Sequence, residues 1–171
     1  MRAYKFLRPG AVAPFSGFSW PSSGEWVEAR EAALCTSGIH ACRIQDLPYW
    51  IGPELWEAEL AGAVRQEPRK LVATRGTLVR RIDGWDANAR AGFAEACAQR
   101  VGERAERAGV EKADRLGEYA ADAAANVRRG EVALLGYIAA RAAEVDAGVG
   151  GYMAEREAQA RWLASELGLE D

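Results

Sequence analysis

One octapeptide concentrates the side chains able to do chemistry in this chain. Cys35-Thr36-Ser37-Gly38-Ile39-His40-Ala41-Cys42 holds two of the three cysteines and the single histidine. In extended backbone His40 and Cys42 fall on one face about 7 Å apart, with Cys35 reaching back over the turn. Three readings compete. Thiolate and imidazole suit zinc, but C-x4-H-x-C is not a familiar zinc spacing and leaves the fourth ligand unassigned. A Cys–His pair would make a nucleophile, a thiolate beside an imidazolium, yet no third residue declares itself to orient it. The reading favoured here is structural, with Cys35 and Cys42 as small buried hydrophobes and His40 as a satisfied polar group. If the protein is an enzyme, His40 is its candidate general acid–base, because an unperturbed imidazole is the side chain poised to titrate near neutrality and the chain has one. Cys42 or Cys35 is then the nucleophile or a neighbouring ligand.

A second set of candidates is aromatic. Five of the six tryptophans precede residue 86, so a ligand site is expected in the first half, walled by Trp20, Trp26, Tyr49, Trp50 and Trp56 with His40 and Glu57 as polar anchors. Glu57 and Glu59 share a strand face, where a carboxyl beside aromatic rings could have its pKa raised for proton transfer. The plainer and favoured alternative is a solvated face opposite Arg80 or Arg81. A single histidine excludes HExxH and two-histidine metal centres, and neither GxGxxG after a strand nor GxxxxGK[ST] is present. No cofactor and no bound metal are expected.

The elements that must position these residues are legible from their periods. Residues 3–8 alternate with period two and end at Pro9-Gly10, the mark of an edge strand. Short strands are expected at Phe15–Trp20, Trp26–Ala29 and Gly38–Cys42, and one or two helical turns over 46–52. Leu55–Ala61 reads as the clearest strand, with Trp56, Ala58 and Leu60 on one face. Lys70–Arg75 and Thr77–Ile82 follow, with Gly76 as a bulge or tight bend between them. At Trp85 the period changes to 3.6, Asp86 is a good N-cap, and glycines divide the remainder into four helices, about 87–108, 112–129, 131–147 and 151–168. Their apolar stripes include Phe93, Cys97 and Val101, then Leu116, Tyr119, Ala123 and Val127, then Leu135, Ile138, Ala142 and Val145, and finally Met153, Ala160, Leu163 and Leu167.

The 171 residues suffice for one compact unit, a strand-rich module over 1–85 with a helical region over 86–171 packed on it. Apolar residues make up 49% and charged residues 27%, the balance of a chain that folds unaided. The net charge is −3 and all but three of the 22 basic residues are arginine, so no Lys-rich arm offers itself to a phosphate backbone and nucleic-acid binding is disfavoured. No signal peptide or membrane span is read, and three cysteines without an export signal point to reduced thiols in a cytoplasmic protein.

Two resemblances bear on function. From Trp26-Val27-Glu28-Ala29 through Cys35–Cys42, Asp46-Leu47-Pro48-Tyr49-Trp50, Glu54–Gly62 and Arg75–Ile82, the chain resembles a group of small, uncharacterised actinobacterial proteins, over about residues 1–85, and that likeness implies no activity. Gly38-Ile39-His40-Ala41-Cys42, Pro48-Tyr49-Trp50 and Glu57-Ala58-Glu59-Leu60-Ala61-Gly62 are also similar in order to the strand, Tyr-bearing helix and Glu-bearing strand that line the NAD cleft of the ADP-ribosyltransferase fold. This similarity would imply NAD binding. The chain departs from that pattern where a histidine in the first strand and a glutamate before a final strand belong. The expectation is therefore an α+β protein, mainly antiparallel in its first half and helical in its second, that binds a small molecule or acts as a small enzyme around His40. The competing expectation is a structural or interaction module that forms a homodimer through its Ala-rich helices.

Overall fold

The first turn-free stretch forms strand β1 (Arg2–Leu7), buried on both faces through Ala3 and Leu7 on one side and Tyr4 and Phe6 on the other, and is stopped at Pro9-Gly10 where Gly10 takes φ +79°. The computed structural model describes residues 1–21, 23–33 and 37–170. Over them an antiparallel sheet occupies the N-terminal half and helices the C-terminal half, which makes the chain α+β. The remaining strands are β2 (Val27–Glu28), β3 (Ile39–Ala41), β4 (Glu54–Glu67) and β5 (Lys70–Arg81). They run in the order β1-β4-β5-β2, with β3 also paired to β5. A reciprocal pair of 2.8 Å backbone hydrogen bonds between Tyr4 and Cys42 joins β1 to the residue following β3, so the ring β1-β4-β5-β3 closes on itself.

Several sequence expectations are corrected in detail. Phe15–Trp20 is not a strand, because Pro14 and Gly17 shape a turn held by Gly17 N–H to the Ala13 carbonyl (3.0 Å), and only isolated bridges such as Val12 to Ser19 form. The helical turn is a 3-10 helix over Ile44–Tyr49, beginning two residues earlier than expected and tied at its start by Arg43 to Asp46 at 2.7 Å. Lys70–Arg81 is one unbroken strand with no bulge at Gly76. Glycine is needed there for room, since a Cβ would stand 2.8 Å from Ile39 Cγ2. Of the two register shifts between β4 and β5, the one at Glu57/Ala58 leaves Val79 as the extra residue on β5, and the one between Ala61 and Val64 puts the extra residue on β4; such irregularities bend the strands where they occur.

The helices are α1 (Ala87–Glu106), α2 (Val110–Arg129) and α3 (Val132–Leu167). Asp86 caps α1 by accepting from Ala89 N–H at 2.9 Å, and Gly130 ends α2 in the left-handed region. The third and fourth expected helices are both present, parted as expected at non-helical Ala147 and Gly148, and are labelled together as α3. Met153 is about half exposed rather than part of the stripe. The buried positions beside it are Glu155, Arg156 and Gln159, which the apolar period could not signal. The chain divides into two compact units, Met1–Trp85 with the residues from Leu167 onward, and Asp86–Glu166. Among the described residues no helix is long and apolar enough to cross a membrane.

Candidate functional site

On β1 the face that buries Ala3 and Leu7 in the sheet core also carries Lys5. A lysine between two core positions must take its charge out of water, and this one is half-buried with few partners. Its amine donates to the His40 carbonyl and lies 5.6 Å from the centre of the Trp20 ring. Burial pushes its pKa down to about 8, against a small upward pull from Cys42. Sequence reasoning missed Lys5, taking it as one of the basic residues alternating with aromatics on an edge strand. The available signal was its place in the same period as Ala3 and Leu7.

His40 sits on β3 opposite Val72, between buried Ile39 and Ala41. Desolvation lowers its pKa first, and the charges of Lys5 and Lys70 lower it further, so the ring is neutral at pH 7 although a bond to the Gly38 backbone pulls the other way. Its Nε2 is buried without a hydrogen-bond partner among the described residues, and so is Trp20 Nε1. Gly38 makes the approach possible. It holds φ +121°, and a Cβ there would meet Val72 Cγ1 at 2.6 Å.

Two open depressions share Lys5, Ala13, Ser16, Gly38 and His40. The larger, of about 920 Å³, extends past Phe15, Tyr49, Trp50, Arg8 and Lys70, and the smaller, of about 300 Å³, past Phe18 and Trp20. Its aromatic wall is anchored through the β4–β5 turn. Arg69, at φ +66°, lays its guanidinium 4.3 Å from the Tyr49 ring centre, and its carbonyl accepts from Trp50 Nε1 at 2.6 Å. Those two contacts offset a backbone conformation that costs a non-glycine residue about 1 kcal/mol.

The other candidates do not complete the site, although Cys42 is among the residues lining the larger depression. Cys42 is fully buried, its Sγ donates to the Tyr4 carbonyl at 3.4 Å, and burial raises its thiol far above the ordinary value. It therefore stays a thiol at neutral pH, unsuited to nucleophilic attack. Cys35 lies outside the described residues. Trp26 is exposed beneath Arg75, 5.0 Å from its ring centre, and Trp56 packs on the sheet core with its Nε1 donating to Glu54 at 3.1 Å. Neither lines the depressions. Glu57 is buried between Arg80 at 2.8 Å and Arg2 at 3.1 Å, so the cross-strand ion pair is present but is sheltered rather than solvated. Among the described residues no group of three His, Cys, Asp or Glu side chains could hold a metal ion.

Glu54 is another buried acid that the sequence did not single out. Burial opposes its charge, but Trp56 Nε1, the N–H groups of Ala11 and Gly10 at 3.1 Å each, and Arg81 together outweigh that and hold its carboxyl below the usual range. It pins the turn after β1 rather than facing the depressions. No protein-family model, curated protein or solved structure matches this chain.

Proposed function

We propose that the N-terminal unit binds a small, flat, anionic molecule in the depression over Lys5 and His40. The observation that carries this reading is its lining. In a chain of net charge −3, the described residues of the larger depression include Lys5, Arg8 and Lys70 and not one carboxylate, beside the rings of Phe15, Tyr49 and Trp50. Cations on apolar walls favour a ligand that is negative at one end and aromatic along its body, since low surrounding dielectric strengthens the ion contact while the rings take up the apolar area. In the smaller depression, which Glu28 also lines, Trp20 Nε1 offers a donor that has no acceptor among the described residues.

Intrinsic tryptophan fluorescence tests the reading with benzoate, phenylphosphonate and benzylamine as probes. The acids are expected to give saturable changes that weaken with added salt, and benzylamine none. Trp50→Ala is expected to weaken the acids by about tenfold, the loss of one stacked ring. A flat response to all three probes would remove the proposal.

A second reading, self-association of the helical unit, rests on Leu134 and Tyr137, one turn apart on α3 and 44% and 50% exposed. Sedimentation of wild-type protein and of a Leu134→Glu, Tyr137→Glu variant separates the two, because a monomer at high concentration is incompatible with it.

A further inference from the structure

We propose that the Lys5 amine forms an imine with the ligand's carbonyl group, so that the molecule bound is a small aldehyde or 2-oxo acid that also carries an acidic group. This rests on the anionic-ligand reading above and adds a reacting atom to it.

The geometry singles out Lys5. Its amine carries three potential donors as an ammonium, yet among the described residues its hydrogen bond goes to one acceptor, the His40 carbonyl, and the Trp20 ring lies beside it. Among the described residues no carboxylate is paired with it, whereas the arginines of the same sheet are mostly engaged by Glu28, Glu54 and Glu57. An amine inside an apolar site without a counter-ion is the usual setting of a nucleophilic lysine. Burial brings its pKa to about 8, so about a tenth is the free base at pH 7, far more than for an ordinary lysine.

Around that amine the polar groups have unused capacity. Trp20 is 9% exposed and its Nε1–H finds no acceptor among the described residues, where His40 Nε2 is likewise buried and unpaired. A carbonyl oxygen arriving beside Lys5 would give the indole an acceptor, and a hydroxyl formed from it would give the imidazole a donor. Lys70 and Arg8, further along the larger depression, suit the acidic end.

The step balances within these groups. The Nζ lone pair attacks the carbonyl carbon to form a C–N bond and a carbinolamine. The former carbonyl oxygen then leaves as water with the two hydrogens of the amine, which leaves a C=N bond. No oxidant or reductant is consumed, and the step reverses on hydration.

The test uses the full chain with 4-carboxybenzaldehyde and sodium cyanoborohydride, followed by peptide mapping, against 4-(hydroxymethyl)benzoate as a probe of the same shape that lacks the carbonyl. The chain has three lysines, Lys5, Lys70 and Lys112, besides the amino group of Met1, so assignment is direct. The expected result is a single reduced adduct on Lys5, formed at least tenfold faster than on Lys112. It should be suppressed by 4-(hydroxymethyl)benzoate, half-maximal in rate near the amine's depressed pKa, and absent from Lys5→Arg, which keeps the cation but forms no such adduct. Adducts spread evenly over the lysines and Met1 would overturn it. If both probes change the fluorescence but Lys5 stays unmodified, the imine falls and anion binding stands. If neither binds nor reacts, both fall.

Discussion

Cys42 and Lys5 show how burial decides what a reactive side chain can do. Removing a thiol from water raises its pKa, which silences it as a nucleophile, whereas removing an amine from water lowers its pKa, which frees the lone pair. The first effect holds for Cys97 as well, pushed up to about 12, chiefly by burial. Iodoacetamide at pH 7.5 is therefore expected to leave Cys42 and Cys97 unmodified in native protein and to label them at least a hundredfold faster in denaturant, read by peptide mass spectrometry. Fast native labelling of Cys42 would contradict its placement. The second effect links Lys5 to stability. Its folded pKa of about 8 lies below the unfolded value, so the unfolded chain binds more protons between about pH 8 and 10 and stability rises with pH across that window. Lys5→Met removes the buried charge. It is expected to melt a few degrees above wild type at pH 7, a gain that narrows towards pH 10, and thermal melts at the two pH values check this. An unchanged or widening gap would mean that the amine carries no desolvation cost.

Among the elements, β1, β3, the 3-10 helix and the start of β5 place the candidate site, and their legibility in the sequence differed for physical reasons. The strand period and the switch at Trp85 were readable because burial on one face imposes alternation directly on composition. The loops were not. Phe15–Trp20 carries strand-like aromatics, but Pro14, Gly17 and the hydrogen bonds of the turn override that propensity. Arg80 opposite Glu57 was legible from the cross-strand pattern, but the burial of Glu57 and the whole role of Glu54 were not, since a period does not show how deep a residue lies or which N–H groups meet it there. Glu54 joins β4 to the turn after β1, and its role is measurable. Glu54→Gln keeps the shape and removes the charge that Gly10, Ala11, Trp56 and Arg81 serve, at an expected cost of about 1–3 kcal/mol at pH 7 by urea unfolding. Because its folded pKa is lowered, the wild-type advantage is present above the ordinary carboxylate range and lost as pH falls through the folded value. An advantage that persists undiminished at pH 2 would refute that assignment.

At the scale of the whole molecule each unit keeps a polar group inside. The helical unit buries Glu155, which Arg100 and Arg104 meet at 2.9 and 3.0 Å, with Gln159 donating to it at 3.0 Å and to the Gly136 carbonyl at 2.9 Å. Those bonds satisfy the carboxylate, so Glu155→Ala is expected to cost about 3–5 kcal/mol by leaving two arginines without their acid. Met153→Ala, two residues away but exposed, should change stability by less than about 0.5 kcal/mol. Equal effects in chemical denaturation would contradict the burial pattern. In the sheet unit the contrast is what marks a site, because among the described residues Trp20 Nε1 and His40 Nε2 stay unsatisfied beside a lysine with no acid. The most direct measurement is a ¹⁵N–¹H spectrum of the six tryptophan indoles, titrated with 4-(hydroxymethyl)benzoate and assigned by Trp→Phe substitution. The Trp20 and Trp50 resonances are expected to shift together and saturate while that of Trp162 stays fixed, and a titration in which no indole moves, or all drift without saturation, would contradict a binding site over Lys5 and His40.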